Sequence, residues 1–187
     1  MRVNRALGPG LLTAVILVTG ILRLEGQEAA PPSTSAPPAG GSAPAKRLPT
    51  AEEARERAEV LHDLANEMLR AIHQAYYRED EGLPIPALLM REVFQDLGKR
   101  RQVEFRWLAV DTDAMNVDHK PQTDFEKRAV KAIASGEKNF EETADSVYRH
   151  VGLVPLTSEC LKCHLPNRRS TKTRSAALLI TIPVRAE

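Results

Sequence analysis

Five consecutive residues late in the chain, Cys160-Leu161-Lys162-Cys163-His164, hold both cysteines of the 187-residue sequence. Two thiols three positions apart, followed at once by an imidazole, form the attachment pattern of a c-type haem. The spacing lets each thiol add to one of two neighbouring vinyl groups of a porphyrin, and the imidazole then reaches the iron from the same loop. Thioether linkage makes the group permanent, which suits a protein working outside the cytoplasm. The redox chemistry belongs to the haem, and the chain supplies ligands, burial and hydrogen bonds. The pattern therefore assigns Cys160 and Cys163 to one covalent haem c, and His164 to the proximal position on its iron.

Two other uses of these residues carry less weight. A closed zinc site needs a fourth ligand, and no second Cys/His pair with finger spacing is present. A thioredoxin-like dithiol would sit at an early strand-to-helix turn of a βαβ unit, whereas this pair lies late in the chain. Within the haem reading, the sixth ligand decides the chemistry: a thioether or imidazole gives a closed electron carrier, while a weak or absent ligand leaves room for a diatomic gas. Met90 and His73 are the leading candidates, Met90 on the apolar face of a second helix and His73 at the margin of the stripe on the first. His62, Met115, His119 and His150 are expected in surface or loop roles. Arg149, Arg168, Arg169 and Lys172 could meet haem propionates, although basic residues near loops are ordinarily solvated. No distal acid–base constellation is evident, so the chain is not expected to be an enzyme.

The elements that must position this motif can be read from periodicity. Thr50 followed by Ala51-Glu52-Glu53 predicts a helix start, with a capping hydroxyl and acids in the first turn. From there to about Tyr77, the residues Ala54, Ala58, Leu61, Ala65, Met68, Ile72 and Ala75 form one apolar stripe, either core or a homodimer seam through its small alanines. Gly82 and Pro84 interrupt the pattern. A second helix is predicted from Pro86 to Leu97, with Leu89, Met90, Val93, Phe94 and Leu97 on one face and Gly98 ending it. Val103 to Val110 reads as a strand, Asp124 opens a short helix that stops at Ser135-Gly136, and Lys138 to Val154 holds two strands ending at Pro155. Ala176 to Ile182 reads as a buried closing strand. Helices first, then a small antiparallel sheet with one inserted helix, give an α+β domain over 50–187.

Ahead of that domain, Arg2 and Arg5 precede an apolar run from Leu11 to Leu22, so residues 1–27 read as a signal peptide or, counting from Ala6, a membrane anchor. Residues 28–49, rich in Ala, Pro, Ser and Gly, bury too little apolar surface to offset ordering entropy and read as a linker. The expected location is therefore periplasmic or otherwise extracytoplasmic. A formal charge of +1, from 26 basic and 25 acidic residues, gives no electrostatic footprint for nucleic acid.

From about Ala51 to Val184 the chain resembles the Tll-type haem-binding domain family, single-haem c-type domains with a PAS-like fold. Asn116-Val-Asp-His-Lys-Pro121 followed by Glu126 is similar to that family's Asn/Pro loop and acidic short helix, and Pro155 to His164 is similar to its Pro-to-Cys-Leu-x-Cys-His segment. Asp113-Ala-Met115 departs from the usual start of the loop, and Leu165-Pro166 replaces the usual glycine after the motif. The resemblance implies a PAS-like sheet with two N-terminal helices and one inserted helix. It also implies a distal ligand on the second helix, commonly cysteine; the nearest equivalent here is Met90, which places Met90 ahead of His73. Two functions are then expected in order: a one-electron carrier serving a redox partner protein, and a gas or redox sensor signalling through a partner that contacts the long helix.

Overall fold

Thr50 and Glu53 start the first helix, α1 (Ala51–Ala75), by capping each other: the Glu53 amide donates to Thr50 Oγ1 at 3.0 Å, and the Thr50 amide donates to the Glu53 carboxylate at 2.8 Å. Two otherwise orphaned amide donors of the first turn are satisfied in this way. The computed structural model describes residues 47–165, 167, 169 and 172–186, so the targeting segment, most of the Ala/Pro/Ser/Gly-rich tract and Arg168 lie outside the described residues. Among the described residues no helix is long and apolar enough to cross a membrane.

Four strands, β1 (Glu104–Ala109), β2 (Asn139–Ala144), β3 (Val147–Leu156) and β4 (Arg174–Pro183), form one antiparallel sheet in the order β1-β4-β3-β2. β4 lies in the interior and is buried on both faces, which accounts for its unbroken apolar run. Its Leu178, Ile180 and Ile182 join Tyr148 and Val154 beneath α1 and α2 (Pro86–Arg101), while Ala177 and Leu179 join Leu108, Val151 and the Phe125, Ala129 and Ile133 of α3 (Asp124–Ala134) on the other face. The fold is thus α+β, with two N-terminal helices on one face of the sheet and the inserted helix on the other. The β2–β3 hairpin turns on Asp145 and Ser146, both in the left-handed region at φ 54° and 57°, the geometry whose twist matches paired strands.

Three alanines of α1 serve the chain's own core, Ala54 and Ala58 fully buried and Ala65 nearly so, while Ala75 of the same stripe is exposed. Three local expectations need correction. Gly98 does not end α2, which continues to Arg101 and is capped by Gln102 in the left-handed region. Gly98 instead permits the chain to fold back, since a Cβ there would stand 2.8 Å from the Val103 carbonyl oxygen. Pro155 does not end β3, because it pairs with Ser175. Its missing N–H costs no ladder bond, as β2 stops opposite Gly152 and the neighbouring Leu153 amide already reaches back to Lys138. Finally, the cysteine motif is helical: Ser158–His164 forms a fourth helix, α4.

Candidate functional site

Helix α4 leaves the end of β3 at Thr157 and is anchored by Leu161, which is 5% exposed. Three positions apart on a helix, Cys160 and Cys163 lie on one side, about one turn from each other. Both thiols are half-buried and unpaired, and the Thr157 hydroxyl lies 3.4 Å from the Cys160 sulfur. His164 is the last helical residue. Burial, reinforced by the nearby His119 and His73 imidazoles, pushes its pKa below the usual histidine value. Its ring is therefore neutral at pH 7, the form that binds a metal.

Two cavities meet at His164. One, about 210 Å³, runs from Cys160 along α1 past Leu69, Arg70 and His73. The other, about 60 Å³, runs toward Trp107, Thr112, Met115 and His119. Leu69, Ala87, Val154, Leu156 and His164 line both, so the cavities are two lobes of a single, largely apolar space. Within the first lobe, His73 Nδ1 lies 2.8 Å from the Leu69 carbonyl oxygen. A ring that donates from Nδ1 to a carbonyl keeps its Nε2 lone pair available, the arrangement common behind metal-bound histidines.

The second lobe owes its wall to a loop held from below. Arg106 of β1 is paired with Glu126 and donates to the carbonyl oxygens of Asp118 at 2.7 Å and Lys120 at 2.8 Å. Glu126, 4% exposed, also accepts from the Gln122 and Thr123 amides at 2.6 and 3.1 Å. Burial raises the Glu126 pKa, but Arg106 and the two amides outweigh it and hold the carboxyl below its ordinary value. The 3₁₀ turn Val117–His119, capped by the Asn116 side chain on the Asp118 amide, is fixed by this clamp with His119 bordering the lobe. Burial also lowers the His119 pKa.

The sequence candidates are therefore sorted by place. Cys160, His164 and His73 border one lobe. Met90 borders neither lobe; it is 5% exposed and belongs to the core cluster between the helices and the sheet that also holds Ala65 and Val154. Ala87, about one turn before Met90 on the same side of α2, borders both lobes and has no donor atom. His73, and not Met90, borders a lobe together with His164. Arg149 lies over the Phe125 ring at 5.9 Å, on the α3 face and away from α4. Arg169 and Lys172 are exposed. His119 was expected in a plain loop role, and His62 and His150 at the surface, yet His150 is 2% exposed. Arg106 was missed altogether; a basic residue alternating with apolar neighbours on a strand was its only local signal. Among the described residues no three His, Cys, Asp or Glu side chains converge as a metal-ion site.

Residues 46–179, from before α1 into β4, match the Tll0287-like family. The chain belongs to that family. The match takes in the whole of α4 and both lobes' main walls. The crystal structure of the cyanobacterial heme-protein Tll0287 aligns with a TM-score of 0.55 at 15% identity, covering 73% of this chain and 98% of that one. At this identity the likeness is one of fold, and it agrees with the PAS-like α+β arrangement of this member of the Tll0287-like family. No curated protein matches the chain.

Proposed function

We propose that this chain is an extracytoplasmic c-type cytochrome that carries electrons one at a time. Cys160 and Cys163 hold one haem through thioethers, His164 is its proximal ligand, and His73 is its distal ligand in place of Met90. The observation that carries the reading is the shared lobe: Cys160, His164 and a histidine with its Nδ1 already engaged border the same apolar space. The name of the heme-protein with the same fold supports it, as does the attachment pattern. When bound, the haem supplies a one-electron Fe(III)/Fe(II) couple. The chain's part is to exclude water with Leu69, Val154 and Leu156 and to hold two imidazoles toward the same space. Two imidazoles leave no open position for a substrate, so the protein is proposed to be a carrier and not an enzyme. Delivery by the N-terminal apolar segment would place it where c-type attachment occurs.

The test is to express the full chain with the cytochrome c maturation machinery, stain a denaturing gel for haem, and mix the reduced protein with carbon monoxide. A stained band and no rapid gas binding are expected. A colourless, unstained protein overturns the haem reading. Rapid carbon monoxide binding by the natural chain would instead favour the sensor function, in which a gas signal passes to a partner protein. A thioether-to-iron charge-transfer band that disappears in Met90→Ala would return Met90 to the iron.

A further inference from the structure

A second pair of histidines lies apart from the Cys160–His164 site. His150 is on the α1 face of β3, 2% exposed, and His62 projects from α1 beside it with 12% of its side chain exposed. Their ring centroids are 5.8 Å apart. His62 Nε2 and His150 Nδ1 are both buried without a hydrogen-bond partner. Orphaned buried nitrogens are costly, and two on adjacent imidazoles call for a common explanation. The chain also gives up a side chain to bring them together. A Cβ on Gly152, two residues beyond His150 on the same face, would stand 2.3 Å from His62 Cδ2 and 2.4 Å from its Nε2.

We propose that His62 and His150 form a low-coordinate copper(I) site. Imidazole nitrogen suits copper, and a two-ligand site suits its monovalent ion. With metal–nitrogen bonds of about 2.0 Å, two imidazoles on one ion have centroids about 5 Å apart at the tetrahedral angle and about 6 Å apart when opposed. The observed separation of 5.8 Å corresponds to an angle of about 135° at the ion, between those limits and open enough for a site of two or three ligands. Asp63 Oδ1 lies 3.4 Å from His62 Nδ1, so the carboxylate stands behind the ring on the side away from Nε2, as it does behind many metal-bound histidines. Burial first, then the neighbouring His62, lowers the His150 pKa to about 4, which keeps its ring neutral at pH 7. The pair opens onto a cavity of about 380 Å³, bordered also by Glu59, Asp63 and Asn66, through which an ion can enter.

The test titrates copper(I) anaerobically into the full chain with its haem attached, so that Cys160 and Cys163 are thioethers and His73 and His164 are occupied, and repeats the titration with His62→Ala and Gly152→Ala. One ion per chain is expected, with affinity falling about 10-fold or more in each variant, the scale of lost ligand or lost ligand orientation. Because Gly152→Ala leaves both histidines in place, its loss of affinity reads their close approach. Nitrogen-15 shifts of both imidazoles on copper addition give a readout on the unvaried histidines, independent of whether a variant folds. Absence of binding, unchanged affinity in His62→Ala, or zinc(II) held more tightly than copper(I) would each overturn the proposal. The haem stain and visible spectrum of the same sample report the first site separately, so failure here leaves the haem reading intact.

Discussion

The two ends of α1 meet the same sheet in opposite ways. At the N-terminal end, Ala54 and Ala58 are fully buried against Tyr148, Ile180 and Ile182, and the helix lies flush with the strands. Toward the C-terminal end, Leu69 and His73 border a cavity and Met68 is 45% exposed. Small side chains let backbones approach, whereas larger ones leave space: Leu69 and His73 border the site cavity at the far end, and Val60 and Leu61 border another, of about 720 Å³, on the side of α1 toward Leu97 and Val103. One amphipathic helix thus serves as core at one end and as site wall at the other. The histidines follow this division: His62 lies between the two regimes, and His73 lies in the open one.

The contrast can be broken at several points, beginning with the largest effect. His73→Ala should change the open end from closed to gas-accessible, so that the reduced haem protein binds carbon monoxide on mixing; an unchanged spectrum and no binding would remove His73 from the iron. Glu126→Ala should strip the second lobe of its clamp and destabilise the fold by about 2–3 kcal/mol, since the Gln122 and Thr123 amides lose their acceptor and Arg106 its carboxylate, as measured by denaturant unfolding. The same carboxyl predicts a pH effect. Because its folded pKa is held below the unfolded value, its contribution is fully present above the unfolded pKa and is lost as pH falls through the folded one. The acid limb of the natural chain's stability curve should therefore flatten in Glu126→Gln. Ala58→Leu tests the flush end and should cost about 2 kcal/mol by overpacking. Met68→Ala, on the open end's outer side, should change stability by less than about 0.5 kcal/mol. If the two substitutions cost the same, the division of α1 is wrong.

Much of this was legible because it depends on neighbours in sequence. The helix starts at Thr50 and Asp124 formed as expected, each closed by a reciprocal box that spans only three residues, Thr50–Glu53 and Thr123–Glu126. The alternation in β1 and the apolar run of β4 gave their strands, although not that β4 would lie inside the sheet. Boundaries failed where a distant partner intervened. Gly98 stayed helical because it makes room for the Val103 carbonyl, and Pro155 stayed in β3 because no strand lies alongside its nitrogen.

By itself the sequence determined the reactive motif, since thiol and imidazole spacing within five residues is a matter of chain geometry and survives any packing. It also determined the helix starts and the α+β order of elements, which rest on local hydrogen bonds and periodicity. Only the tertiary structure decided which histidine or methionine shares a space with His164. Met90 and His73 both sit on apolar-margined helices, and the rotation of α2 onto α1 and β4 turned one inward to the core while the end of α1 left the other beside the motif. The same holds for His62 and His150, 88 residues apart by their numbers, whose approach depends on strand register and on one missing Cβ at Gly152. Register and helix rotation are summed over many contacts along the chain, and no single stretch of residues encodes them.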